Sequence, residues 1–177
     1  RFILMVSNTF KKAAMSLDTI KKELLENKEL TDTFRGVFIS KDAEGDSVIR
    51  HSDGFETKIL CKGVDQIGSV RGVKFGPYRP DLIIGDDLED DELVRSPERR
   101  NQLQQDFDDA LIPAGDRENC QFVIIGTILH DDSLLAKLVS KNFYLDYKKL
   151  FYQAHIKPDT LEESSIWPQK FTTSCRD

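Results

Sequence analysis

Long apolar runs are missing from this 177-residue chain. Stretches such as Phe2-Ile3-Leu4-Met5-Val6 and Val123-Ile124-Ile125 fall far short of the ~20 residues a helix needs to cross a bilayer, which excludes helical membrane spanning. An excess of positive charge is missing as well. The 25 Lys+Arg face 31 Asp+Glu, a net charge of -6, so the whole protein has no attraction for phosphate backbones. Contact with nucleic acid then calls for a local patch or another domain. Cysteine is scarce: Cys61, Cys120 and Cys175 are an odd number at wide spacing, which fits neither a disulfide framework nor a zinc knuckle and points to a reducing compartment. His51, His130 and His155 are equally isolated, with none of the i,i+4 or CxxC-type spacing of a metal site. What is present is 39% hydrophobic and 32% charged residues of both signs, with 11 Phe, 4 Tyr and 1 Trp, enough to pack the core of one globular domain.

Local patterns order that core as strands and helices. Phe2 to Val6 reads as a strand buried on both faces, and Ser7, Asn8 and Thr9 offer helix N-caps. Phe10, Ala13, Ala14, Leu17, Ile20, Leu24 and Leu30 then recur near helical spacing and predict one amphipathic helix. Val37-Phe38-Ile39, Ser47-Val48-Ile49 and Thr57-Lys58-Ile59-Leu60, separated by Gly/Asp turns, predict an antiparallel meander. Leu82-Ile83-Ile84 is a short buried strand ending at Asp86-Asp87. Ser96-Pro97-Glu98 starts a helix with Leu103, Phe107, Ala110 and Leu111 as its stripe and Pro113 as terminator. Phe122 to Ile125 reads as a second fully buried strand ending at Gly126-Thr127, with Asp131 or Asp132 capping a further helix. Tyr144 to Phe151 predicts one more strand, followed by a polar tail from Lys157. The strand-helix-strand order implies a parallel sheet whose functional edge lies at the carboxyl ends of the strands, where Asp86, Asp87 and Thr127 fall.

An apolar strand ending in two acids has the form of a Walker B element, in which the first carboxylate holds Mg²⁺ through water and the second orients the attacking water. The bland alternative is a solvated acidic turn, because Asp81, Asp86, Asp87, Glu89, Asp90, Asp91 and Glu92 crowd one segment. The phosphate cradle GxxxxGK[ST] is absent: Gly63-Val64-Asp65-Gln66-Ile67-Gly68 has the glycine spacing, but Ser69 stands where lysine is needed, and the segment reads as a turn. If the chain belongs to a nucleotide hydrolase, that loop precedes Arg1 or belongs to another chain. A start inside an apolar run agrees with a piece of something longer. Arg71, beside Gly72, has the chemistry to neutralise a transferring phosphoryl group, or is an ordinary surface arginine.

Taken in order, Gly68-Ser69-Val70-Arg71-Gly72, Arg79-Pro80-Asp81-Leu82-Ile83-Ile84-Gly85-Asp86-Asp87, Gly126-Thr127 with His130 and Asp132, and Trp167-Pro168-Gln169-Lys170-Phe171 resemble the large terminase subunit of tailed bacteriophages and prophages. The resemblance covers nearly the whole chain. It implies an α/β, P-loop NTPase-type core of the additional-strand class, with a largely parallel sheet flanked by helices and truncated at its N-terminus. Residues 1–156 would be the part of an ATPase domain that follows the phosphate loop, and 157–177 a polar tail toward a nuclease domain.

The implied activity is hydrolysis of ATP with Mg²⁺, coupled to packaging of double-stranded DNA into procapsids in the bacterial cytoplasm. The implied partners are the portal protein, the small terminase subunit and further copies in a ring. Asp86 is then the magnesium residue, Asp87 or Glu89 the catalytic carboxylate, Thr127 part of the coupling motif, and Arg71 an arginine acting on ATP held by a neighbouring subunit. Asp87 departs from the family's more familiar Asp-Glu pair. Without a Walker A lysine the isolated chain is expected to be inactive. Two other readings stay open: a non-catalytic module that docks a basic partner on its acidic edge, and a metal-dependent nuclease using the acidic cluster.

Overall fold

Apolar strands with polar ends dictate where the sheet of this protein keeps its chemistry. The computed structural model describes residues 1–140 and 148–150 together with the backbone of 155–156 and 164–165. Two compact units divide the chain, Arg1–Ala136 and Lys137–Asp177. In the first unit, β1 (Phe2–Ser7) leads to α1 (Phe10–Glu26) and α2 (Lys28–Thr33), then β2 (Phe38–Ala43), β3 (Asp46–Arg50) and β4 (Glu56–Gly63). A 3₁₀ helix (Val64–Val70) and a loop precede β5 (Leu82–Asp86), followed by α3 (Asp91–Arg95), α4 (Pro97–Asp106), a π-helical turn (Phe107–Leu111) and α5 (Ile112–Ala114). Next come β6 (Gln121–Ile125) and α6 (Leu134–Val139), the last running across the division between units.

The architecture is α/β, with a six-stranded mixed sheet of order β2-β3-β4-β1-β5-β6. The pairs β4-β1, β1-β5 and β5-β6 are parallel, and β2-β3-β4 is the antiparallel meander. β1 lies at the centre because both its faces are apolar: Phe2, Leu4, Met5 and Val6 are all buried. On one face Met5, Ile49, Ile59 and Cys61 pack with Ala13 and Leu17 of α1. That helix starts where Thr9 Oγ1 accepts the Lys12 N–H at 3.3 Å. The 3₁₀ helix and the π-helical turn bury Ile67, Val70, Phe107 and Leu111 almost completely. Burying a side chain of that size stabilises the fold by about 1.5–3 kcal/mol.

Several local expectations are corrected. The helix predicted from Phe10 through Leu30 is broken at Asn27, whose Oδ1 accepts the Glu29 N–H at 3.0 Å and so caps α2. The Gly63 to Gly68 turn is a 3₁₀ helix, in which Gln66 Oε1 accepts the Gly63 N–H at 3.2 Å. Pro113 does not end its helix: a π turn, in which the Ile112 N–H donates to the Phe107 carbonyl, carries the chain through Pro113 to Ala114. The segment expected to be a second fully buried strand, β6, is the edge strand of the sheet among the described residues, with Val123 42% and Ile125 57% exposed.

In the second unit β7 (His155–Ile156) and β8 (Ser164–Ser165) pair antiparallel. Most of the strand expected over Tyr144 to Phe151, and the Trp167-Pro168 segment, lie outside the described residues, while 148–150 carry no regular structure. Among the described residues no helix is long and apolar enough to cross a membrane.

Candidate functional site at the carboxyl ends of β1, β5 and β6

Parallel pairing sets three chain reversals side by side. Asp86 is in register with Ser7 of β1 on one side and Ile125 of β6 on the other, so Asp86, Asp87, Gly126 and Thr127 share one sheet edge. Asp87 has φ 46°, a left-handed backbone that Asp tolerates better than most residues. Its N–H donates to the Ile125 carbonyl at 3.0 Å, and its own carbonyl accepts the Asn8 N–H at 3.1 Å, which ties the reversal to both neighbouring strands. A Cβ placed on Gly126 would lie 3.5 Å from Asp87 Oδ1, so the carboxylate lies beside the end of β6. Thr127, just beyond, is exposed.

Two neighbouring acids have structural partners. Glu89 accepts the Leu134 and Leu135 N–H groups at 2.8 and 3.0 Å, satisfying the first turn of α6. The cap of α6 expected from Asp131 or Asp132 comes instead from this carboxylate and from Ser133, whose Oγ accepts the Ala136 N–H at 3.1 Å. Asp132 pairs with the buried Arg100 at 3.3 Å, and His130 Nδ1 accepts the Asp132 N–H at 2.9 Å. Asp90 caps α3 by accepting the Leu93 N–H at 2.7 Å, and the Asn8 side-chain amide donates to it at 2.6 Å. The Leu93 N–H, and then the Asn8 amide, hold the Asp90 carboxyl below the usual range. Among the described residues, Asp86 and Asp87 have no such ion pair or side-chain hydrogen bond.

Asn8 is the residue that sequence reasoning missed, having treated it only as one of three cap candidates. It is 9% exposed and bridges β1 to the acidic reversal through both backbone and side chain. The signal available was its place just past a strand buried on both faces.

Arg71 is not brought to this edge. It lines a cleft with Asp116, Cys120 and Phe122, which flank the start of β6, whereas Asp86 and Thr127 mark the finish of the parallel strands. A five-residue strand separates the two ends by about 15 Å, beyond the reach of an arginine side chain. Burial pushes the Cys120 thiol in that cleft up to about 11, so it stays neutral at physiological pH.

Among the described residues no group of three or more His, Cys, Asp or Glu side chains is arranged to hold a metal ion. A protein cage is not what the edge offers. Two carboxylates with no ion pair or side-chain hydrogen bond among the described residues fit a magnesium ion that takes its remaining ligands from water and phosphate oxygens. No family model matches the chain, and neither does any curated protein or solved structure.

Proposed function

We propose that this chain is part of the ATPase motor of a terminase-type large subunit, which couples Mg-ATP hydrolysis to packaging of double-stranded DNA into procapsids with a portal protein and a small subunit as partners. The observation that carries the reading is the Asp86-Asp87 pair at the carboxyl end of β5, one strand away from Thr127, whose carboxylates have no ion pair or side-chain hydrogen bond among the described residues. In the additional-strand class of P-loop NTPases a single strand separates the Walker B strand from the phosphate-loop strand. What supports that class here is that β6 lies beside β5 and, among the described residues, pairs with no other strand.

Bound Mg-ATP supplies the γ-phosphoryl group and the cation that offsets its charge. Asp86 would hold the magnesium through water, and Asp87, fixed by its backbone bonds to Asn8 and Ile125, would orient the attacking water and draw on its proton. Glu89 is the weaker choice for that role, because both its oxygens already cap α6. Thr127 would sense the state of this edge from the end of β6. Arg71, too far from its own chain's Asp86, would act on a nucleotide held by a neighbouring subunit.

The nuclease reading loses support from the lack of converging acids among the described residues. The test joins a phosphate-loop segment ahead of Arg1 and measures ATP turnover. Asp86→Asn is expected to abolish it, and unchanged turnover would overturn the reading in favour of a docking module.

A further inference from the structure

The opposite end of the parallel strands holds a cleft apart from the carboxyl edge of the same chain. A cleft of about 570 Å³ is lined there by Arg71, Arg79, Arg117, Asp109, Asp116 and Phe122 among others, a size suited to a small ligand rather than to a macromolecular face. Its three arginines arrive from separate segments: the residue after the 3₁₀ helix, the approach to β5 and the approach to β6. Arg79 is held in place where its Nη1 donates to the Pro113 carbonyl at 3.0 Å.

Arg71 and Arg117 are exposed and have no ion pair among the described residues. The Asp116 carboxylate is partly engaged by its own loop: Oδ1 accepts the N–H groups of Glu118 and Asn119 at 3.1 and 3.0 Å. Asp109 is the other acid of the cleft. In a chain of net charge -6, this is a local surplus of forked cationic donors around an apolar floor that includes the Phe122 ring.

We propose that this cleft binds a small polyphosphate anion without magnesium, its oxygens taken by Arg71 and Arg117. Two sources share that chemistry, an inorganic polyphosphate and a nucleoside diphosphate whose base would stack on Phe122. Calorimetry of the 177-residue chain in EDTA, with inorganic pyrophosphate and ADP as probes, tests the proposal and separates the sources. Saturable one-to-one binding of pyrophosphate is expected at low salt, weakening as salt rises. Equal affinities support an inorganic anion, and tighter ADP binding supports a nucleotide with its base on the ring.

The double variant Arg71→Ala/Arg117→Ala is expected to bind at least about tenfold more weakly, each lost charge-assisted bond being enough for that. Asp109→Asn, which removes a facing negative charge, is expected to bind more tightly. Asp86→Asn, at the other end of the strands, leaves pyrophosphate binding unchanged. Absence of saturation, or full binding by the double arginine variant with its fold verified by circular dichroism, would overturn the site. A loss of pyrophosphate binding in Asp86→Asn would overturn its independence.

Discussion

Asp86-Asp87 and Glu89-Asp90 are two carboxylate pairs separated only by Leu88, yet the fold uses them differently. The second pair has its oxygens on backbone N–H groups of α6 and α3, where it satisfies helix ends. The first pair has no such partner among the described residues and stands where three parallel strands finish. In a segment this acidic, composition says little about which charges are chemical and which are structural. The distinction lies in which backbone donors come within reach.

The largest effect expected from breaking this contrast is on turnover. On the proposed reading, with a phosphate-loop segment joined ahead of Arg1, Asp86→Asn should lower the ATPase rate on the order of 100-fold or more, while the urea midpoint of the 177-residue chain stays within experimental error. Asp87→Asn should cost more turnover than Glu89→Gln does. The reverse order, read from steady-state rates, would move the water-orienting role to Glu89.

Stability should respond the other way round. Glu89→Ala leaves two helix N–H groups without their acceptor and should lower unfolding free energy by about 2 kcal/mol in urea titration. Asp90→Ala removes one N-cap and should cost about 1 kcal/mol. Because the folded Asp90 carboxyl titrates below its ordinary value, its stabilisation is full above the unfolded carboxylate pKa and fades as pH falls through the lower folded one. The gap between wild type and Asp90→Ala in urea midpoint should therefore narrow in acid. A gap that widens below pH ~4 would contradict the capping geometry.

Much of the fold was legible because it is local. The alternation within 37–65 marks the meander, Thr9 marks the start of α1, and the apolar run before Asp86 marks β5. What escaped depends on contacts distant in sequence. An apolar Phe122 to Ile125 segment reads as buried on both faces, and only the strand order reveals that, among the described residues, β6 pairs with β5 alone. Leu30 keeps the helical period of α1, which hides the break that Asn27 makes with its own side chain. Glu89 looks like any other acid of its cluster until Leu134, 45 residues on, supplies the N–H it accepts. That Asp86, Asp87 and Thr127 fall at one sheet edge could be read from sequence, since each follows an apolar strand of the strand-helix-strand unit. The remoteness of Arg71 could not, because it is set by how the 3₁₀ helix and its following loop run.

The exposed Val123 and Ile125 of β6 have a practical consequence for anyone handling the isolated chain. Among the described residues β6 pairs with β5 alone and leaves Val123 and Ile125 exposed, so preparations should self-associate as they are concentrated, and Ile125→Lys should keep them dispersed.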